Sequence, residues 1–161
     1  MKLEYFGEID PDNIEEYYEC KVTINGSELE IDLNFEDESI DSSRLDKVNK
    51  FLDNIEVRLS DAIDLIAQDY DLGEDSDAAR DYLAHHLDVL KKDELLALFG
   101  ALDITKDLFI SKLKVERMGF YPDDDDDFVL IDVSFAGDVT DYLMAITFDD
   151  RFKLSYISME S

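Results

Sequence analysis

The sequence is poor in positive charge, in cysteine and in long apolar runs. Only 15 Lys and Arg stand against 42 Asp and Glu, a formal net charge of −27, so phosphate backbones and anionic membrane surfaces are repelled. Cys20 is the single cysteine, which excludes an intramolecular disulfide. No apolar run approaches the roughly 18 residues of a membrane-spanning helix, and residues 1–6 lack the apolar core of a secretory signal. These features predict a cytoplasmic protein with no direct nucleic-acid or membrane partner.

The residue patterns of common enzymes and cofactor sites are also missing. There is no P-loop, no GxGxxG, no GxSxG and no HExxH. His85 and His86 are the only histidines, and adjacent residues on a helix point about 100° apart, so the two do not chelate one metal ion. His86 falls on an apolar stripe, and Cys20 alternates with Val22 and Ile24 toward the core. We therefore expect a protein that is not an enzyme and carries no cofactor.

The apolar content indicates a folded domain despite the charge. Hydrophobic residues make up 45% of the chain and aromatic residues 11%, which is ordinary for a globular protein. High net charge indicates disorder only when hydrophobicity is low. A single domain covering residues 1–161 is therefore expected.

Alternation of apolar and polar residues predicts a β-hairpin near the N-terminus. A short strand over 2–6 precedes a strand over 17–24, and Asn25-Gly26-Ser27 is a hairpin turn signal. The return strand carries polar residues on one face, which predicts a half-buried antiparallel strand. Its other face is apolar and holds Leu29, Ile31, Leu33 and Phe35.

Apolar spacings of three and four predict helices in the middle of the chain. One stripe begins after Ser42 or Ser43, the expected N-cap, and continues for about six turns to a stop near Gly73. A second helix is expected over 76–90, and a third over 94–99 that stops at the following glycine.

The last third is predicted to return to strands, over 108–120, 128–135, 142–148 and 152–157. This order of elements predicts an α+β fold. In that fold an antiparallel sheet is made of the N-terminal hairpin and a C-terminal meander. The central helical segment is expected to pack on one face of the sheet.

A row of carboxylates on the return strand is the first candidate site. Period-two spacing places Glu28, Glu30, Asp32 and Glu36 on its outer face, about 6.6 Å apart for every two residues. Like charges in such a row lower stability unless a cation meets them, so the row is a candidate docking face for a basic protein. The alternative is a solvated face that discourages edge-to-edge aggregation.

An uninterrupted run of aspartates is the second candidate. Five adjacent carboxylates attract a divalent cation or a patch of Lys and Arg, although the glycine of a calcium-binding loop is missing. The alternative is a solvated turn between two strands. The run consists of Asp123, Asp124, Asp125, Asp126 and Asp127.

Residues 69–77 form a third acidic stretch, with carboxylates alternating around Gly73. Gly73 stands where a calcium loop needs a ligand. The same residues are typical of a helix C-terminus followed by an N-cap. We therefore expect helix ends here in place of a metal site.

Five short segments carry a resemblance to known proteins. They are Tyr5-Phe6-Gly7, MGFYP at 118–122, FVLID at 128–132, TDYL at 140–143 and ISMES at 157–161. Together they resemble an uncharacterised family of small acidic bacterial proteins, a domain of unknown function, over the whole chain. Similar families are proposed to be immunity proteins encoded beside polymorphic toxins, and this is what the resemblance implies here. The segments fall at strand and turn positions, so no functional residue is carried over.

The leading hypothesis is a non-enzymatic binding protein, an immunity protein that neutralises a basic toxin such as a nuclease domain. A toxin that binds nucleic acid presents a cationic groove, into which a rigid acidic surface is steered at low salt. The expected contacts are the carboxylate row and the aspartate run, with Tyr17 or Tyr18 as a buried anchor. The protein is expected to be a monomer or a small homo-oligomer.

Two alternatives belong to other classes. The first is a nucleic-acid mimic that occupies the site of a DNA- or RNA-binding protein, suggested by the carboxylate row. The second is an enzyme or module that depends on a divalent cation held by the aspartate clusters. Competition with DNA for a shared partner separates the first from the leading hypothesis, and a calorimetric titration with Ca²⁺, Mg²⁺ and Mn²⁺ tests the second.

Overall fold

The computed structural model describes residues 1–75, 78–135 and 139–161, which contain five α-helices and eight β-strands. None of these helices is long and apolar enough to cross a membrane. The strands are β1 (Lys2–Leu3), β2 (Gly7–Glu8), β3 (Tyr17–Ile24), β4 (Ser27–Asn34), β5 (Leu113–Phe120), β6 (Val129–Phe135), β7 (Leu143–Phe148) and β8 (Leu154–Glu160). The helices are α1 (Ser42–Leu52), α2 (Ile55–Asp71), α3 (Ala79–Val89), α4 (Lys92–Phe99) and α5 (Lys106–Ser111).

The predicted α+β class is confirmed. Strands β3 to β8 form one six-stranded sheet in sequence order, with the hairpin β3–β4 at one side and the antiparallel meander β5–β8 at the other. The hairpin and the meander are joined by a parallel pairing of β4 with β5, so the sheet is mixed where a wholly antiparallel sheet was expected. The helices lie between these two strands in the chain, and such a long connection allows the parallel return.

The prediction of one long central helix is wrong, because this part of the chain forms two helices, α1 and α2. Asp41 is the N-cap of α1, accepting a hydrogen bond from the Ser43 amide at 2.8 Å, in place of the expected serines. Helix α1 ends at Leu52, and α2 begins after Asn54, whose backbone is not helical. Asp and Asn compete for backbone hydrogen bonds and favour turns, whereas the apolar stripe continues across the break. Periodicity alone therefore does not reveal the break.

The strand expected over 108–120 is also wrong in its first part. Residues 106–111 form α5, and the strand starts at Leu113. Thr105 caps this helix, because its Oγ1 accepts a hydrogen bond from the Leu108 amide at 3.3 Å. The run Leu108-Phe109-Ile110 is apolar without a gap, and such a short run does not distinguish a helix from a strand.

The remaining boundaries differ from the predictions at element ends. Tyr5 has a φ of 68°, so the chain turns inside the predicted first strand, and β1 pairs with β2 as a separate two-stranded sheet. Ser76 and Asp77, where the second helix was expected to begin, lie outside the described residues, and α3 is observed from Ala79. Helix α4 begins at Lys92 and stops as predicted at Gly100, whose φ is 72°.

Aromatic rings join the helices to the strands. Phe51 of α1 makes edge contacts with Phe120 and Phe148, with ring centroids 5.7 and 6.0 Å apart. Phe135 of β6 meets the rings of Tyr82, Phe99 and Phe109, which come from α3, α4 and α5. All of these side chains are buried. Because side chains alternate along a strand, the charged residues Asp32, Arg117 and Asp132 stand on the opposite face of the sheet.

Candidate functional site

Asp32 is not the exposed carboxylate that the sequence predicted. It lies on the expected face of β4, but it is 0% exposed, because the side chain of Arg117 lies across it from β5. The guanidinium holds both carboxylate oxygens, with Nε 2.6 Å from Oδ2 and Nη2 2.8 Å from Oδ1. Asp32 is therefore paired inside the protein and is not available to a partner.

Arg117 binds a second buried carboxylate. Its Nη1 lies 3.1 Å from Oδ2 of Asp132, and its Nη2 lies 3.1 Å from the hydroxyl of Tyr121. Burial raises the pKa of Asp132 despite the nearby guanidinium. Burial alone would lower the pKa of Arg117, but the hydrogen bonds to Asp32 and Tyr121 raise it. The cluster therefore holds one permanent cation between two desolvated acids.

Gly119 makes room for this arginine. A Cβ at Gly119 would stand 2.6 Å from Nη2 of Arg117, a separation that Cβ atoms in proteins essentially never show. The glycine lies between Asp32 and Leu130 in the sheet register, so the guanidinium crosses the sheet above it. The charges of this cluster are therefore paired with one another across β4, β5 and β6, and they are not free for contacts outside the protein.

The rest of the predicted carboxylate row is not a uniform surface. Glu28 is exposed, and its carboxylate lies 3.4 Å from Nζ of Lys21 on the neighbouring strand. Glu30 is half-buried and stands between Lys21 and Arg117 in the sheet register. Glu36 is exposed and follows the end of β4. The row therefore contributes mainly its last member to a continuous acidic surface.

Three loops bring a larger set of carboxylates together at one end of the sheet. We call the segments 10–16, 36–41 and 122–127 the acidic end. The first two are joined by hydrogen bonds from the amide of Ile14 to the carbonyl of Glu38 at 2.8 Å and from the amide of Ile40 to the carbonyl of Pro11 at 2.9 Å. The amide of Glu36 donates to Oδ2 of Asp123 at 2.9 Å, which connects the second and third segments.

The acidic end is dense in carboxylates. Segments 10–16 and 36–41 carry four carboxylates each and segment 122–127 carries five, with no Lys or Arg in any of them. Every acidic residue of these segments is exposed except Asp127, which is half-buried. The contribution of 10–16 was missed from the sequence, because nothing local shows that this loop runs beside 36–41. The only available signal was the high density of acid in each segment.

Arg44 of α1 fixes the aspartate run that the sequence singled out. Its guanidinium donates to the carbonyl oxygens of Pro122 and Asp124, each at 2.6 Å, and to Oδ1 of Asp125 at 2.8 Å. It also donates to Asp150, which Lys47 binds as well. The run is therefore a turn held from inside, while most of its carboxylates face outward.

Replacing Arg44 with methionine is expected to loosen this loop. The apolar stem stays, but hydrogen bonds from a charged donor are lost, so the free energy of unfolding should fall by about 2 kcal/mol. Urea denaturation measures the loss, and hydrogen exchange should be faster at 123–127. Lys50→Met on the same helix is the control, because Lys50 is exposed and forms no ion pair among the described residues. Equal effects of the two substitutions would contradict the role of Arg44.

Tyr17 is the better placed of the two candidate anchors. Its side chain is 46% exposed at the start of β3, directly after the acidic segment 10–16. Desolvation and the hydrogen bond to Glu19 raise the pKa of Tyr17 to about 12, so the phenol stays neutral. Tyr18 instead packs against Phe35 and accepts a hydrogen bond from the Glu15 amide at 2.9 Å, which gives it a structural role.

The other candidate residues from the sequence have structural roles within the fold. Oδ2 of Asp69 accepts a hydrogen bond from the Ala79 amide at 2.9 Å, while Asp77 of the same acidic stretch lies outside the described residues. His86 is buried with Nδ1 2.6 Å from the carbonyl of Tyr82, and desolvation lowers its pKa. Desolvation also raises the pKa of the half-buried Cys20 thiol. Within the described ranges, no group of three or more His, Cys, Asp or Glu is arranged to hold a metal ion.

No protein-family model, no curated protein and no solved structure matches this chain. The resemblance to small acidic bacterial proteins stays a prediction that rests on the five segments given above.

Proposed function

We propose that this chain is a non-enzymatic cytoplasmic protein that binds a basic protein partner through the acidic end. The observation that supports this most directly is the joining of three acidic loops into one surface. Backbone hydrogen bonds join the first two loops, and the Glu36 amide, which donates to the Asp123 carboxylate, joins the second to the third. Such a surface is present before the partner arrives, so binding does not require these loops to become ordered. The partner contacts would be Glu36 and the outward carboxylates of 123–127, with Glu28 and Glu30 at the margin.

The chemistry of the surface indicates what kind of partner would fit. Carboxylates crowded together repel one another, and a cationic partner relieves that repulsion on binding. Electrostatic potentials of opposite sign on the two molecules also accelerate their association at low salt. A protein with a groove for nucleic acid has the required charge. A toxin of the nuclease type, neutralised by this chain as an immunity protein, therefore agrees with both the acidic surface and the resemblance.

Charge alone sets rate and specificity more than affinity, so an anchor is needed. Tyr17 adjoins the acidic end and presents nearly half of its side chain to solvent. Tyrosine is enriched among the residues that dominate binding energy at protein interfaces. We propose that Tyr17 enters an apolar pocket of the partner, while the carboxylates around it meet Lys and Arg.

Charge reversal within the acidic end is the test of this function. Glu36→Lys, Asp37→Lys and Asp126→Lys are combined, because these exposed side chains accept no hydrogen bond among the described residues. The partner is the product of a toxin-like gene beside this one, and association is followed by stopped-flow fluorescence at several salt concentrations. The association rate should fall by about tenfold or more at low salt, and its salt dependence should become weaker.

A variant with the same net charge serves as the matched control. Asp61→Lys, Asp64→Lys and Asp88→Lys change the charge equally on exposed positions of α2 and α3. If the control slows association as much as the acidic-end variant, the effect is one of total charge and the proposed surface is wrong. Tyr17→Ala should mainly raise the dissociation rate. Competition between this chain and DNA for the partner shows whether the two share a site, as a nucleic-acid mimic requires.

A further inference from the structure

Strand β8 is a free edge of the six-stranded sheet. It is last in the strand order and pairs with β7 on one side. In the ranges that the structure describes, no backbone hydrogen bond joins residues 154–160 to any other segment. None of its residues is fully buried, and Ser155 and Tyr156 are exposed. The outer row of amides and carbonyls along β8 is therefore open to another strand.

This edge lacks the features that usually prevent strand addition. Proline and charged side chains, lysine above all, commonly protect edge strands from pairing with other chains. The sequence of β8 is LSYISME, in which the final glutamate is the only charged residue, although 35% of the chain is charged. The opposite edge, β3, carries Glu19 and Lys21, and Lys21 pairs with Glu28. Of the two edge strands in the described six-stranded sheet, β8 is the one that combines an open backbone with a nearly uncharged sequence.

The acidic end adjoins the start of this strand. The hydroxyl of Ser155 donates to the carbonyl of Asp126 at 3.0 Å, and the hydroxyl of Tyr156 lies 3.5 Å from Oδ2 of Asp127. A strand laid against β8 would therefore have one of its ends beside the carboxylates of 123–127. Lys or Arg at that end of the strand would meet opposite charge, whereas acidic residues would be repelled.

We propose that β8 is a strand-addition site for an extended segment of a partner, with apolar alternate residues and Lys or Arg at the end that reaches the acidic end. Backbone hydrogen bonds would supply affinity, and the carboxylates would select the direction and the sequence of the added strand. This inference deepens the proposed function, because it assigns to the basic partner a mode of docking. A second copy of this chain is a poorer occupant, since each copy carries a net charge of −27.

A model peptide tests the site without the natural partner. The probe is acetyl-Thr-Val-Thr-Val-Lys-Val-Lys-amide, whose lysines reach the acidic end when it pairs antiparallel to β8. The control peptide has the same sequence with N-methyl groups on alternate residues, which removes hydrogen-bond donors and keeps the charge. Binding is measured by NMR titration, and amide hydrogen exchange of 154–160 is measured with and without peptide. The parent peptide should slow exchange along β8 by about tenfold or more, and the methylated peptide should not.

Proline variants identify the responsible backbone groups. The amides of Ile157 and Ser158 point to opposite sides of β8, since neighbours alternate in a strand. Ile157→Pro and Ser158→Pro are therefore compared, with Ile157→Ala and Ser158→Ala as controls for the lost side chains. The proline whose thermal midpoint matches its alanine control occupies the outward position. That variant should lose peptide binding by about tenfold or more.

The possible results distinguish failure of strand addition at β8 from failure of the proposed function. Equal binding of the methylated peptide, or slowed exchange at β3 instead of β8, would overturn strand addition. Self-association of the protein alone that the stable proline variant abolishes, without peptide binding, would replace the basic strand by a second copy. If a basic toxin binds the stable proline variant as tightly as the parent, this inference fails and the proposed function stands. If the peptide binds β8 and acidic-end reversal leaves association with the toxin unchanged, the proposed function fails alone.

Discussion

Replacing Arg117 with methionine should lower the free energy of unfolding by about 3–5 kcal/mol. The substitution keeps an apolar stem over Gly119 but removes the cation that binds Asp32 and Asp132. Both carboxylates are almost completely buried, so neither recovers its lost partner by contact with water. Urea denaturation followed by circular dichroism measures the loss. Lys114→Met on the same strand is the control, because Lys114 is exposed, and it should change stability by less than about 0.5 kcal/mol.

The pH dependence gives a second readout for the same substitution. Burial already raises the pKa of Asp132, and loss of the guanidinium should raise it further. An acid whose pKa is higher in the folded than in the unfolded protein binds its proton more tightly when folded. Protonation therefore stabilises the folded protein, and this stabilisation is lost as the pH rises through the folded-state pKa. The deficit of Arg117→Met should therefore be larger at about pH 7 than at about pH 4.5. A deficit that does not change with pH would mean that lost packing, and not stranded charge, explains it.

Replacing Phe135 with alanine should cost about 3–5 kcal/mol of unfolding free energy. Phe135 is 0% exposed and meets the rings of Tyr82, Phe99 and Phe109, whose centroids lie 5.1, 5.3 and 5.8 Å away. These rings come from three helices and a single strand residue joins them, so the cavity cannot close by moving one neighbour.

Equilibrium unfolding in urea, with near-ultraviolet circular dichroism as the probe of aromatic packing, measures this effect. Leu96→Ala is the control, because Leu96 is 47% exposed on α4 and should change stability by about 0.5 kcal/mol or less. A loss of less than about 1 kcal/mol for Phe135→Ala would show that the three helices are held to the sheet by other contacts.

Much of the fold could be predicted because its signals are local. The alternation in β4 predicted that Leu29, Ile31 and Leu33 would be buried, and they are. The glycine stop after α4 needs only a residue that tolerates a positive φ. The break between α1 and α2 and the helical state of 106–111 could not be predicted in the same way. In both places the apolar pattern agrees with more than one backbone, and tertiary packing selects between them.

In the candidate site, too, some features could be predicted from the sequence and others depended on tertiary contacts. The sequence predicted exposed acid at Glu36 and along the aspartate run, and Glu36 and 123–126 are exposed, whereas Asp127 is half-buried and Asp125 pairs with Arg44. It could not show that Asp32 is taken by Arg117, which is 85 residues away in the chain. It also gave no sign that segment 10–16 lies beside 36–41, because hydrogen bonds between loops depend on where the strands place their ends.

Composition and periodicity are enough to establish the excess of acid, the α+β class and the general positions of most strands and helices. Three features were decided by the tertiary structure alone: the parallel pairing of β4 with β5, the burial of Asp32 and the assembly of the acidic end. The physical reason is that a charge acts according to its neighbours in space. Opposite a guanidinium, a carboxylate of β4 becomes part of the interior, while Glu36, just beyond the strand end, remains exposed to solvent.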